Sequence, residues 1–149
     1  MLSTSHEPAG YSCPFCRFLQ GIFDERNLPS DVIGVTDRAY ARIAPKWWPG
    51  NPGAVYDLSP EVGRGVWELT QQVAIGMRSS YDCEGTSIRQ HNEPAGNQDV
   101  WHLHVHVFPR HADDRLYQRQ DEARWVSPSD REPFALQLRE ALGLPFTFN

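Results

Sequence analysis

The chain has 149 residues, 40% of them hydrophobic and 22% charged, with a formal net charge of -5 at pH 7. That length suits one domain built on one core, and the composition excludes a disordered or fibrous protein. The negative balance argues against wrapping a nucleic-acid polymer, which needs many Lys and Arg, but it leaves room for a small anion held by a few local donors.

Residues Met1 to Gly10 lack a basic region followed by an apolar one, so they read as a short flexible tail and not as a secretory signal. No apolar run in the chain reaches the length of a membrane span. Three cysteines cannot all pair within one chain, and Cys13 and Cys16 stand in a C-x-x-C spacing. A reducing, cytoplasmic setting is expected. A redox pair of the thioredoxin kind needs a strand before it, and nothing strand-like precedes Cys13, so half of a metal site is the favoured reading.

Pro14 to Gln20 predicts a short helix that Gly21 ends, with Phe15, Phe18 and Leu19 as its apolar contacts. Val32 to Thr36, a turn at Asp37 and Arg38, and Ala39 to Ile43 predict a β-hairpin. Pro45 to Gly53, with three prolines, two glycines, Trp47 and Trp48, predicts a loop with aromatic anchors. The clearest helix follows: Ser59 as N-cap, Pro60 at the first position, and Val62, Val66, Leu69, Val73 and Met77 as one buried stripe. Thr86 to His91 reads as a strand, Asn92 to Gln98 as a turn, and Val100 to Phe108 as a strand that Pro109 closes. His111 to Asp121 is expected as an exposed loop. A last helix carries Phe134, Leu138 and Leu142 on one face, with Pro133 in its first turn and Gly143 and Pro145 as the stop. The order of elements predicts an α+β fold, an antiparallel sheet with helices packed on one side, in a single domain.

The segment His102-Leu103-His104-Val105-His106-Val107-Phe108 carries the chemistry. In an extended chain, alternation sends Leu103, Val105 and Val107 to the core and the three imidazoles to the opposite face. Side chains at i and i+4 of a strand start about 13 Å apart, so one ion cannot easily take all three rings. At least one histidine is left for another task. A merely solvated polar strand face is the plain alternative.

This His-x-His-x-His run, preceded by a Gly-containing turn with Gln98, resembles the signature of the histidine-triad proteins. Cys13-Pro14-Phe15-Cys16, Asn51-Pro52-Gly53, the helix start Tyr56-Asp57-Leu58-Ser59-Pro60-Glu61, and Pro109-Arg110 look like landmarks of the same family in the same order. The resemblance implies a nucleotide hydrolase or transferase in which the middle histidine, here His104, attacks the α-phosphorus and forms a covalent nucleotidyl-histidine. A neutral imidazole is a competent nucleophile, and such an intermediate divides one difficult displacement into two easier ones. By the same resemblance His106 touches the phosphate and helps the leaving group depart, and Asn92 and Gln98 hold ribose or phosphate oxygens. For those last two, ordinary turn chemistry is the alternative. The family also implies a homodimer and a small-molecule nucleotide ligand.

Zinc-bearing members bind the ion with the first histidine and the two N-terminal cysteines, so the implied set here is Cys13, Cys16 and His102. A structural zinc takes four protein ligands. In the family the fourth is a histidine on a Pro-Lys-x-His segment after the Pro-Gly turn, and here Gly53 runs straight into Ala54-Val55-Tyr56, about a dozen residues short of the pattern. The site is vacated, or water or a remote histidine such as His6 completes it, or a strand is missing between 53 and 54. Arg42 stands where many members carry a ribose-binding Asp, and is expected to be exposed. Trp47 and Trp48 read as packing anchors or a subunit contact before base-stacking residues. The reading from another class is a non-catalytic nucleotide- or zinc-binding module.

Overall fold

The computed structural model describes residues 8–47, 56, 58–119 and 122–148. The expected tail, the Asn51-Pro52-Gly53 turn, Trp48 and the junction after Gly53 lie largely or wholly outside them.

Helix α1, Pro14–Leu19, starts on Cys13, whose Sγ accepts from the Cys16 amide at 3.3 Å, and stops before Gly21 at φ +77°. Phe18 is its buried residue, while Leu19 is half exposed and carries less of the packing than its sequence suggests. β1, Val32–Val35, and β2, Tyr40–Arg42, form the antiparallel hairpin, with the Thr36 hydroxyl closing the turn onto Ala39. Within the expected loop, Lys46–Trp47 forms a short strand, β3, because residues 124–125 return to pair with it as β6. That partner lies far along the sequence and leaves no local signal.

Helix α2, Pro60–Ser80, begins as expected, with Ser59 Oγ accepting from the Val62 amide at 3.3 Å and Pro60 pre-set for the first turn. Leu69, Val73 and Met77 are buried, and each such side chain contributes roughly 1.5–3 kcal/mol of apolar burial. Helix α3, Pro128–Leu142, starts earlier than its apolar pattern indicates, because Ser127 caps it and Pro128 takes the first position. Pro133 therefore lies inside the helix and not in its first turn. Its buried face is Arg131, Ala135 and Leu138, with Phe134 rotated outward, and Gly143 at φ +60° ends it. The two helices approach closely at Gly76, where a Cβ would sit 3.4 Å from Leu138 Cδ2.

β4, Gly85–Arg89, pairs antiparallel with β5, His106–Arg110. β5 is shorter at its start than expected: residues 100–105 are bends and irregular chain, so only His106 of the three histidines lies in a strand. Nor does Pro109 close β5, for it pairs with Thr86 inside the ladder. The fold is α+β with antiparallel strands, but among the described residues they form three two-stranded ladders, β1-β2, β3-β6 and β4-β5, in place of one continuous sheet. The core of Ile33, Ile43, Leu69, Val73, Met77, Cys83, Ala135 and Leu138 lies among the helices and the inner strand faces.

Arg42 is not exposed. It pairs with Asp31 at 3.2 Å and also donates to Asn27 Oδ1 and the Arg26 carbonyl, and burial draws its guanidinium below the usual arginine range. Arg131 of α3 meets the same carboxylate from the other side with two 2.8 Å bonds.

Candidate active site and metal centre

The irregular chain before β5 lets the three rings take separate orientations. His102 turns toward α1, where its Nδ1 lies 3.6 Å from Cys13 Sγ and 3.4 Å from Cys16 Sγ. Zn–S and Zn–N bonds of about 2.3 and 2.05 Å at a tetrahedral angle place sulfur and nitrogen about 3.6 Å apart, so both sulfur–nitrogen separations suit a zinc ion. All three lie within 4.8 Å of one another. Burial holds His102 below the ordinary histidine range, which keeps it neutral and able to ligate at pH 7. The expected set of Cys13, Cys16 and His102 is thus assembled, and among the described residues no further His, Cys, Asp or Glu joins it. When bound, zinc here would tie α1 to the strand approach. Tyr11 makes a second tie, its hydroxyl accepting from the Trp101 amide at 3.2 Å.

His104 turns the other way. Its Nδ1 is 2.8 Å from the His102 carbonyl oxygen. A carbonyl only accepts, so Nδ1 carries the hydrogen and the lone pair sits on Nε2. The His106 ring stands edge-on to His104, with centroids 4.9 Å apart, and stacks on Phe108 at 5.6 Å. Phe15 wedges edge-on against both His102, at 5.4 Å, and His104, at 5.3 Å. Sequence reasoning treated Phe15 as a helix contact only; its place between Cys13 and Cys16 was the available signal for a role at the histidines.

The three rings and Phe15 line a cleft of about 1440 Å3 that also reaches Val62, Val66 and Leu69 of α2. Asn92 and Gln98 are not among its described lining residues. Asn92 exchanges two amide hydrogen bonds with Gln90, at 2.8 and 3.0 Å. Gln98 is buried, with Oε1 accepting from the Glu93 amide at 2.6 Å and Nε2 donating to the Val100 carbonyl at 3.3 Å. In this state both amides hold the turn that delivers the histidine segment. Glu93 at φ +62° and Asn97 at φ +66° are the strained points that Gln98 spans.

At the end of β5, Arg110 makes a two-pronged pair with Asp114, both bonds 2.7 Å, and also donates to Ser87 Oγ at 2.8 Å. The pair and the His111 and Leu116 amides hold the Asp114 carboxyl far below its ordinary range. The strand that carries His106 is anchored at its far end by this cluster.

A model of the HIT domain matches residues 53–113, which include the histidine segment. "Protein hit" of Bacillus subtilis (strain 168) is 22% identical over 108 residues, covering 67% of this chain and 72% of that protein. Among solved structures, a zinc-bound histidine triad family protein from Mycobacterium smegmatis superposes with a TM-score of 0.67 at 25% identity, over 89% of this chain and 94% of that one. A Hit-like protein from Bartonella henselae, described as involved in cell-cycle regulation, gives 0.66 at 22% identity, over 89% and 100% of the two chains. A hypothetical histidine triad nucleotide-binding protein from Sulfolobus tokodaii strain7 gives 0.68 at 13% identity, over 88% and 92%, a likeness of fold. The matched domain, the shared fold and the clustered imidazoles agree: residues 53–113 are similar to the HIT domain, and the chain has the fold of histidine triad family structures.

Proposed function

We propose that the chain is a nucleotide hydrolase or transferase that cleaves a nucleoside phosphoramidate or a dinucleoside polyphosphate at the α-phosphorus through a covalent nucleotidyl-His104. The observation that carries this reading is the 2.8 Å approach of His104 Nδ1 to the His102 carbonyl. It commits one nitrogen to the backbone and leaves the nucleophilic lone pair on the other. Nε2 attacks phosphorus, the N–P bond forms as the bond to the leaving group breaks, and the departing oxygen or nitrogen takes a proton from His106 beside it. Water then attacks the same phosphorus and gives its proton to His106, the N–P bond breaks, and the nucleoside monophosphate leaves with both imidazoles restored.

Zinc bound by Cys13, Cys16 and His102 would have a structural part, fixing His102 and with it the carbonyl that orients His104. The ligand is a single small nucleotide, in keeping with a net charge of -5, and the chain works as a homodimer in the cytoplasm. No helix among the described residues is long and apolar enough to cross a membrane. Asn92 and Gln98 contact ribose or phosphate oxygens after exchanging their present partners. Because those partners are already made, a second reading has support: a nucleotide- or zinc-binding module without turnover.

Incubation with adenosine phosphoramidate and with diadenosine polyphosphates separates the two. The enzyme releases AMP, and His104→Ala abolishes that release. Undiminished release by that variant defeats the mechanism, and calorimetric AMP binding with no turnover of either substrate supports the binding module.

A further inference from the structure

β5 presents His106 on the face turned away from the core: Val107 packs against the core, while the His106 and Phe108 rings stack together on the other side. The β4-β5 ladder sets Arg89 directly opposite His106 and Ser87 opposite Phe108. Residues that oppose each other across an antiparallel pair point the same way, with Cβ atoms about 4.5–5.5 Å apart. Arg110 agrees with that facing, since its Nη1 donates to Ser87 Oγ at 2.8 Å. Arg89 is therefore the cross-strand neighbour of His106 on the histidine face, and it stands beside the cleft wall that His106 and Phe108 form rather than within it.

The other arginines of this region are engaged, Arg110 with Asp114 and Arg119 with Glu122. Among the described residues no carboxylate pairs with Arg89. Its half-buried guanidinium lies over the Tyr117 ring, 4.3 Å from the centroid, and Arg110 lies 4.9 Å from the same ring. The Tyr117 hydroxyl is held below the ordinary tyrosine range, first by its hydrogen bond with Ser87 and then by the charges of Arg110 and Arg89, which marks a positive field on this face of an acidic protein. We propose that Arg89 is a phosphate subsite, which holds the phosphate beyond the α-phosphorus of a bound nucleotide and selects substrates whose leaving group is itself a phosphate.

The subsite rests on the reading that places the α-phosphorus between His104 and His106. The atom that departs beside His106 is then one bond from the next phosphorus, and the cation across the strand pair is the nearest charge on that face. A guanidinium bonds phosphate oxygens with two parallel N–H donors and stabilises the negative charge that develops as a phosphate departs. The amine released from a phosphoramidate carries no negative charge and gains nothing there. Dinucleoside polyphosphates are thus the favoured class of the two that His104 chemistry admits.

Calorimetry on the full chain tests this without turnover, with AMP and the non-cleavable α,β-methylene analogue of ADP as probes. The wild type should bind the analogue about tenfold or more tightly than AMP, as one charge-assisted contact provides. Arg89→Met should cut that preference to about twofold or less, and Arg89→Lys, which keeps the charge but loses the fork, should keep part of it. Equal affinities in the wild type would overturn the subsite, and so would a preference that survives Arg89→Met because both affinities fall together, which marks a prop for the strand. Failure of the wild type to bind either probe would defeat the nucleotide reading and the subsite with it. If the preference is present and depends on Arg89 while no substrate is turned over, only the catalytic reading fails. Where AMP is released, the ratio of kcat/KM for diadenosine tetraphosphate to that for adenosine phosphoramidate should fall about tenfold in Arg89→Met, and an unchanged ratio would remove Arg89 from substrate selection.

Discussion

Asp31 is 1% exposed and receives two bonds from Arg131, itself 1% exposed, and one from Arg42. Two charges taken out of water are tolerable only as a pair, so Asp31→Ala leaves Arg131 buried without its carboxylate and should cost about 3–5 kcal/mol, read as a fall in the urea midpoint. Replacing Asp31 and Arg131 together by leucine and methionine should recover only part of that loss, because the packed volume stays but Arg42 still lacks its carboxylate. A second residue-scale expectation concerns acid. The folded Asp114 carboxyl is depressed by Arg110 and two backbone amides, so the pair stabilises the fold above the unfolded carboxyl value of about 3.9. That contribution falls away as pH drops through this value toward the lower folded one. Urea denaturation of the wild type and Asp114→Asn should show a constant stability gap from pH 7 to about 5 and a shrinking gap below about 4. A gap that widened in acid would contradict the pairing.

Helix α2 meets the β1-β2 hairpin at Gly65, where a Cβ would come within 2.8 Å of Arg38 Cβ, while a Cβ at Gly63 meets nothing described within 4 Å. Gly63→Ala should therefore stabilise by about 0.5–1 kcal/mol through helix propensity alone. Gly65→Ala gains the same propensity but forces the hairpin turn away from the helix, an overpacking of about 1–3 kcal/mol, so thermal midpoints of the two variants should move in opposite directions. Elements with local causes were legible in the sequence: the hairpin, α1 and its Gly21 stop, and α2 with its Ser59 cap. The early start of α3 was written in Ser127 and Pro128, but the apolar spacing around Phe134 outweighed it. Unregistered were features whose partners lie far along the chain, such as β3 with β6 and Asp31 with Arg131. The histidine segment shows the same division. Its residue spacing pointed to three rings in one place, yet their separate aims depend on α1, 86 and 89 residues away from His102, and on a backbone carbonyl that no side-chain pattern encodes.

At the scale of the molecule, the N-terminal segment is held to the strand approach by Phe15 against two imidazoles, by Tyr11 on the Trp101 amide, and by the thiol-imidazole cluster. Zinc bound there closes a loop of nearly 90 residues and binds only the folded arrangement, so its binding free energy adds to folding. With zinc at about 100 times its dissociation constant the gain is about 2.7 kcal/mol, which for a chain of this size moves the thermal midpoint by about 5–10 °C. Elemental analysis of protein purified without chelators should give about one zinc per chain, and Cys16→Ser should lower both the metal content and the midpoint. The consequence reaches His104 because one residue serves both ends: the His102 ring faces the thiols and its carbonyl holds His104 Nδ1. Chelation should thus broaden or shift the His104 ring resonances in a nitrogen-detected NMR spectrum while the α2 amides stay in place. If instead the His104 signals are indifferent to zinc while the midpoint falls, the metal staples the N-terminus without orienting His104, and the coupling through His102 is wrong.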